Sequence, residues 1–244
     1  MALNLEILAY EESPLGPLCL RRRELLSQPG VHVTEVTLNH EFLMSSLYTD
    51  SEETLARVAL ERVEGDGQID GEGLRVLVGG LGLGYTAHAA LRSERVAHVE
   101  VIDLLPQVIE WTRSGLVPLS EELAKATAAG RLTLTEGDAY ARLAEPEPVE
   151  KFDAILIDID HSPDERLDEA NSLPFYTTAG LRAAAKHLAP GGVLAVWSYA
   201  ESGPFADALR EVFADVSVEP VSYLNEMIDE RRTDWLFFAR IAQS

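Results

Sequence analysis

The 244-residue sequence is short of three things: cysteine, positive charge and long apolar runs. Its single cysteine, Cys19, leaves no intrachain disulfide to form, which fits a reducing compartment. Only 20 residues are basic against 41 acidic, giving a net charge of -21. Such a surface repels phosphate backbones and anionic headgroups, so neither nucleic acid nor a membrane is expected as a partner, whereas a cationic small molecule is drawn in. No segment approaches the ~20 apolar residues of a membrane span. The amino terminus lacks the basic segment and apolar run of a signal peptide, so the cytoplasm is the expected location. The six histidines do not cluster, and His161 beside acids is the one conceivable metal site, so no metal is expected.

What is present is a globular composition, with 46% hydrophobic residues. Residues 1–50 read as a small antiparallel β region. Leu3 to Tyr10 alternates weakly, turns follow at Ser13-Pro14 and Gly16-Pro17, and Leu18-Cys19-Leu20 forms a returning strand. Val31 to Leu38 is a further strand with a bulge or register change. Residues 51–244 read as one larger α/β domain. Ser51-Glu52-Glu53-Thr54 opens a helix, with Leu55, Val58, Ala59 and Val63 on one side. Gly65 to Gly73 is a loop that superficially resembles a calcium site, but Arg75 and Arg62 occupy ligand positions, which argues against calcium.

From Leu74 strands and helices alternate. Strands are expected at Leu74-Val78, Ala97-Ile102, Arg131-Thr135, Phe152-Ile157, Val193-Trp197, Val216-Val218 and Trp235-Ile241, the last two paired antiparallel across a connection from Pro220 to Arg232. Phe152-Ile157 is apolar almost throughout and reads as central. Seven strands with helices between them predict a Rossmann-like doubly wound sheet.

The chemistry-bearing residues fall at strand ends. Val78-Gly79-Gly80-Leu81-Gly82-Leu83-Gly84 follows a strand and opens a helix. Glycine there lets the backbone turn tightly and approach a ligand, and the helix start adds unpaired N–H groups. No lysine-serine or lysine-threonine pair follows, so this is not an ATPase-type phosphate loop. Asp103 ends the next strand, 21 residues after Gly82, where a carboxylate can accept from both ribose hydroxyls. Asp138, in Glu136-Gly137-Asp138-Ala139, can accept from an adenine amino group. Asp158 follows the apolar fourth strand directly, within Asp158-Ile159-Asp160-His161, and its carboxylate is expected to face the crevice.

These residues carry a resemblance. Leu74 to Ile241 resembles the class I methyltransferase-like proteins, and more closely the spermidine synthase (aminopropyltransferase) family. The resemblance rests on Gly79-Gly80-Leu81-Gly82, Asp103 followed by Pro106-Gln107-Val108-Ile109-Glu110, Gly137-Asp138-Ala139, Phe152 to Asp158, and Pro190-Gly191-Gly192-Val193-Leu194. It implies a donor that is decarboxylated S-adenosylmethionine or S-adenosylmethionine, leaving methylthioadenosine or S-adenosylhomocysteine. It also implies that Gly79, Gly80 and Gly82 hold the methionine-derived and ribose region, with Asp103 at the ribose, Asp138 near adenine, and the adjoining Leu104 and Ala139 also binding the cofactor. Asp158 would orient and deprotonate a cationic amine, with Asp160 as the second acid, and the chain would form a homodimer. The polyamine half departs from the family: Leu43 stands at the family's glutamine, and Glu53-Thr54 where a tyrosine-histidine pair is usual. The expectation is therefore aminopropyl-type transfer to an amine at a divergent site. The alternatives are methyl transfer from S-adenosylmethionine, a non-catalytic adenosyl-ligand protein, and, least favoured by Asp138 and Asp158, an NAD-linked dehydrogenase.

Overall fold

The structure, a computed structural model, describes residues 5–64, 73–167, 172–225 and 230–242. The calcium-like loop between Glu64 and Gly73, together with Asp168 and Glu169 of the acidic segment after Asp158, lies outside the described residues. No helix among the described residues is long and apolar enough to cross a membrane.

The first strands form an antiparallel meander: β1 (Leu5–Ser13), β2 (Gly16–Glu24), β3 (His32–Leu38) and β4 (Glu41–Ser45). The expected register change is present, between Val36 and Thr37 in the β3–β4 pairing. β4 was not expected from the sequence. Asn39 and His40, with φ of 51° and 69°, make a two-residue hairpin turn that folds Glu41–Ser45 back onto β3. A glycine-free turn of this kind carries a weak sequence signal.

Helix α1 (Asp50–Arg62) leads to the second sheet. Its strands are β5 (Leu74–Gly79), β6 (Val96–Asp103), β7 (Leu132–Glu136), β8 (Phe152–Ile157), β9 (Leu188–Ser198), β10 (Asp215–Asn225) and β11 (Glu230–Arg240). The order is β10-β11-β9-β8-β5-β6-β7, with β8 in the middle as its continuous apolar run predicts. Strands β9, β8, β5, β6 and β7 are mutually parallel; β11 is antiparallel to both of its neighbours. Among the described residues the remaining helices are α2 (Tyr85–Leu91), α3 (Pro106–Arg113), α4 (Ser120–Ala128), α5 (Ala139–Ala144), α6 (Thr178–Ala185) and α7 (Gly203–Arg210). This is the doubly wound α/β architecture expected.

Two elements are larger than the sequence suggested. Pro220 to Arg232 is not a plain connection: pairing runs without a break from Asp215 opposite Arg240 to Asn225 opposite Glu230. Pro220 is tolerated because β10 is the edge strand and its nitrogen needs no ladder partner. Likewise Pro190-Gly191-Gly192 lies within β9 as an irregularity in its pairing with β8, not as a turn before it.

Alternating side chains separate two cores. Val76 and Val78 of β5, Ala154 and Leu156 of β8, and Val193 and Ala195 of β9 pack with α1, α2, α3 and the small sheet. Leu77, Ile155, Ile157, Leu194 and Val196 pack on the other face with α5, α6 and α7. Leu18, Leu20, Val36 and Leu38 of the small sheet belong to the first core, so that sheet is fixed over one face of the large one. Gln107 and Trp111 of α3 anchor it further, donating to the Glu12 carbonyl and the Glu11 carboxylate at 2.8 and 2.7 Å.

Candidate active site

The strand order reverses between β5 and β8. The crevice at such a switch point is where ligands bind in open α/β sheets, because two loops diverge there from adjacent strand ends. Gly79 ends β5, and its carbonyl accepts from Asp158 N at 2.9 Å, joining the ends of β5 and β8. Gly80 has φ +91°, and a Cβ there would lie 2.2 Å from the Asp158 carbonyl oxygen. Only glycine fits so close to a neighbouring backbone. Gly82, with φ +52°, runs under Met44 of β4.

Asp103 ties three loops together. Its carbonyl accepts from Gly137 N at 2.9 Å. Its two carboxylate oxygens accept from Leu81 N at 2.7 Å and from Leu105 N at 2.8 Å. Burial raises its pKa, and the N–H groups of Leu105, Leu81 and Gly82 hold it down in part. Each carboxylate oxygen has two acceptor positions, so Asp103 supports the turn and still has room for a ligand hydroxyl. Asp138 caps α5, accepting from Tyr140 N at 2.8 Å and Ala141 N at 3.2 Å through one oxygen. The helix it caps was not expected from the sequence, since six residues are too few for a periodic signal.

Gly80, Gly82, Asp103, Leu104, Asp138, Ala139, Asp158 and Asp160 all border one cleft, which Leu15, Leu43 and Met44 also line from the first four strands and their turns. Gly79 lies behind it, against Ala139 and Ile159. The structure thus gathers the expected residues around a single space with mainly apolar walls. Leu104 is 42% exposed beside Asp103.

Asp158 and Asp160, two residues apart, have different surroundings. Asp158 accepts from the Thr86 hydroxyl at 2.6 Å, and its other oxygen has no partner among the described residues. Burial first, and Asp234 after it, raise its pKa to about 6. Asp160 is only 2% exposed. It accepts from the hydroxyls of Tyr140 and Tyr176 at 2.7 and 3.0 Å, from Leu167 N at 2.8 Å and from Ser172 at 3.4 Å. Burial pushes both phenols well above their usual range, so they remain neutral donors. With its lone pairs taken by four donors, Asp160 fastens the loop after β8. These bonds give Asp160 a structural part, and it borders both clefts beside Asp158.

Two other acids approach Asp158. A second cleft adjoins the first across Gly82, Asp158 and Ile159 and is lined by Glu52, Asp234, Tyr48, Tyr85, Trp197, Tyr199 and Tyr223. Four of the chain's seven tyrosines therefore line this cleft. Tyr48 and Tyr223 stack with centroids 4.7 Å apart. Burial, then Asp158, then Asp234 raise the Glu52 pKa to about 8; burial also raises that of Asp234. Ser51 Oγ lies 2.8 Å from both Glu52 Oε2 and Asp234 Oδ2, and Trp197 Nε1 donates to it at 3.0 Å. Sequence reading missed Glu52 and Asp234. The first looks like an ordinary acid of a helix's first turn, the second like one polar residue in an alternating strand. Leu43, the residue at the family's glutamine position, borders both clefts.

No family model matches the sequence, and no curated protein matches it. Solved structures do. A spermidine synthase in complex with the transition state analogue AdoDATO superposes with a TM-score of 0.70 at 17% identity, over 98% of this chain and 74% of that one. Spermidine synthase from Thermotoga maritima gives 0.69 at 16% identity, over 98% and 73%. The fold is that of the spermidine synthases. It extends to the methyltransferases: human methyltransferase-like protein 13 in complex with SAH gives 0.56 at 15% identity, over 78% of this chain and 82% of that one.

Proposed function

We propose that this protein is a transferase that moves an aminopropyl-type group from an adenosyl sulfonium onto an amine. The observation that carries the reading is the meeting of two unlike clefts at Asp158: one apolar and bordered by Asp103, the other acidic and aromatic. The similarity to spermidine synthases, one of them holding AdoDATO, supports it.

The residues of the first cleft fit an adenosyl donor. The glycine turn allows backbone approach, Asp103 has an acceptor position left for a ribose hydroxyl, and Leu104, Asp138 and Ala139 line the rest of the cleft. The sulfonium supplies an activated carbon and a neutral leaving group. What remains for the protein is to align a neutral amine with that carbon. Glu52, Asp158 and Asp234 are among the acids that border the adjoining cleft. Asp158, mostly ionised at pH 7, disfavours a donor bearing its own carboxylate beside it, since like charges repel strongly in a partly desolvated site. That selects the decarboxylated donor over S-adenosylmethionine.

An acid with its pKa near 6 is mostly ionised at pH 7 yet basic enough to take a proton, the range suited to a general base. Asp158 fills this role, fixed by Thr86 through one oxygen and offering the other to the ammonium. The aromatic walls suit a cationic guest as well, because ring faces attract positive charge.

The test is product formation, read by mass spectrometry, from decarboxylated S-adenosylmethionine with a panel of diamines and polyamines. Asp158→Asn should lower turnover by roughly 10²–10⁴-fold and leave methylthioadenosine binding little changed. Methylation from S-adenosylmethionine with no aminopropyl product would replace this reading. Tight adenosyl-ligand binding with no turnover from either donor would mean a binding protein.

A further inference from the structure

Three side chains that the general-base role does not use converge behind Asp158. Ser51, in the first turn of α1, is 3% exposed and held by the indole of Trp197. Its hydroxyl lies 2.8 Å from one oxygen of Glu52 and 2.8 Å from one oxygen of Asp234. A hydroxyl has one proton and two lone pairs. An indole N–H can only donate, so Trp197 takes one lone pair. The proton serves one carboxylate. If both acids were ionised, the contact to the other would set lone pair against lone pair at hydrogen-bond distance. Both contacts are hydrogen bonds only when one carboxyl carries a proton and donates it to Ser51.

We propose that Glu52 and Asp234 share one proton through the Ser51 hydroxyl, and that this pair receives the proton which the attacking amine gives up at Asp158. The proposal rests on the transferase reading above for its second half; the shared proton stands on the geometry alone. The other charged or titratable groups around the cleft are Tyr48, Tyr85, Tyr199, Tyr223, Arg23, Glu35, His161 and Asp160. Tyr85 and Tyr223 are shifted upward, the latter to about 12, chiefly by burial, so neither phenol ionises near neutrality. Glu35 is engaged by Arg21 and Arg23, and Asp160 by two phenols. Nor do the described acids form a group placed to hold a metal ion in the proton's stead. The high pKa of Glu52, with burial and Asp158 as its causes, agrees with a neutral carboxyl at pH 7.

The steps balance. An incoming ammonium lowers the proton affinity of the pair, and the shared proton leaves to solvent. Asp158 takes one proton from the ammonium. The neutral nitrogen forms the C–N bond as the C–S bond breaks, and that bond's electron pair stays on the sulfur of the departing thioether. The proton on Asp158 passes to the vacated pair, and the product leaves as a secondary ammonium. Each turnover thus releases one proton, and it does so when the next amine binds.

The test has two arms. In the first, carbon-13 NMR follows the side-chain carboxyls of the ligand-free protein through a pH titration, with Glu52→Gln to assign the Glu52 signal. Glu52 should be neutral at pH 7, and Asp234→Asn should move its midpoint down by about one pH unit or more. A Glu52 carboxyl ionised at pH 7, or one indifferent to Asp234→Asn, overturns the shared proton. In the second, 1,4-diaminobutane is titrated calorimetrically at pH 7 in buffers of different ionisation enthalpy. The wild type should release about one proton per amine bound, and Glu52→Gln close to none. Binding without proton release overturns the relay. If the diamine does not bind, the amine-acceptor reading and the relay built on it fail together, while the first arm decides the shared proton by itself.

Discussion

Asp103 offers the sharpest test of the proposed adenosyl site, because the proposal gives one carboxylate two jobs. Asp103→Asn keeps the size and removes the charge. In the folded protein each oxygen faces a backbone N–H, Leu81 at 2.7 Å and Leu105 at 2.8 Å. The amide has one oxygen and one NH2 group. Whichever way it is turned, one backbone N–H must face a donor, inside a site where Asp103 is only 9% exposed. Water cannot easily replace the lost acceptor there. Losing a hydrogen bond to a charged group costs about 1.5–3 kcal/mol. For a chain of this length, roughly 2–4 °C of melting temperature corresponds to each kcal/mol. The variant should therefore melt roughly 3–12 °C lower in the absence of any ligand. It should also bind methylthioadenosine at least about tenfold more weakly, since a ribose hydroxyl loses a charged acceptor. Differential scanning calorimetry reads the first effect and isothermal titration the second. A wild-type melting temperature would refute the account of the loops tied by Asp103; unchanged affinity would refute its place at the ribose.

Gly80→Ala places a methyl 2.2 Å from the Asp158 carbonyl at φ +91°, so urea unfolding should show a loss of at least about 3 kcal/mol, and a loss below about 1 kcal/mol would show that the turn can yield. Asp160→Asn should cost about 1.5–3 kcal/mol of stability, because Tyr140, Tyr176 and Leu167 N share its carboxylate. Its turnover should fall far less than that of Asp158→Asn; equal losses would place Asp160 in the chemistry. A pH effect follows from Glu52. Its pKa is raised from 4.5 to about 8 on folding, so between those values the folded state binds more protons than the unfolded one. Stability contributed by the neutral carboxyl is full below pH 4.5 and is lost as pH rises toward 8. Thermal melts should fall across that window in the wild type and fall less in Glu52→Gln, and identical slopes would contradict the assignment.

What could be read from the sequence was local. The glycine turn is legible because a strand, four glycines and a helix are contiguous, and the steric demand of Gly80 is set by its own backbone angle and the neighbouring strand end. Asp103 and Asp158 are legible because each stands at the end of a strand, and strand ends on one edge of a parallel sheet must share a crevice. The centrality of β8 follows from six buried residues in a row, which no strand with one wet face can accommodate.

The cleft lined by Glu52 and Asp234 was decided by tertiary structure. Ser51 and Asp234 are 183 residues apart and meet because α1 packs across the face of the sheet that β9 and β11 complete. Nothing local distinguishes either from a surface polar residue. Asp158 and Asp160 carry the same side chain two positions apart. Their fates differ only because Tyr140 and Tyr176 fold in from the α5 side to hold one of them, while Thr86 of α2 leaves an oxygen of the other free. Proton affinity follows the same division: the sequence supplies carboxyl groups, and burial beside one another, which exists only in the folded chain, determines which of them keeps its proton.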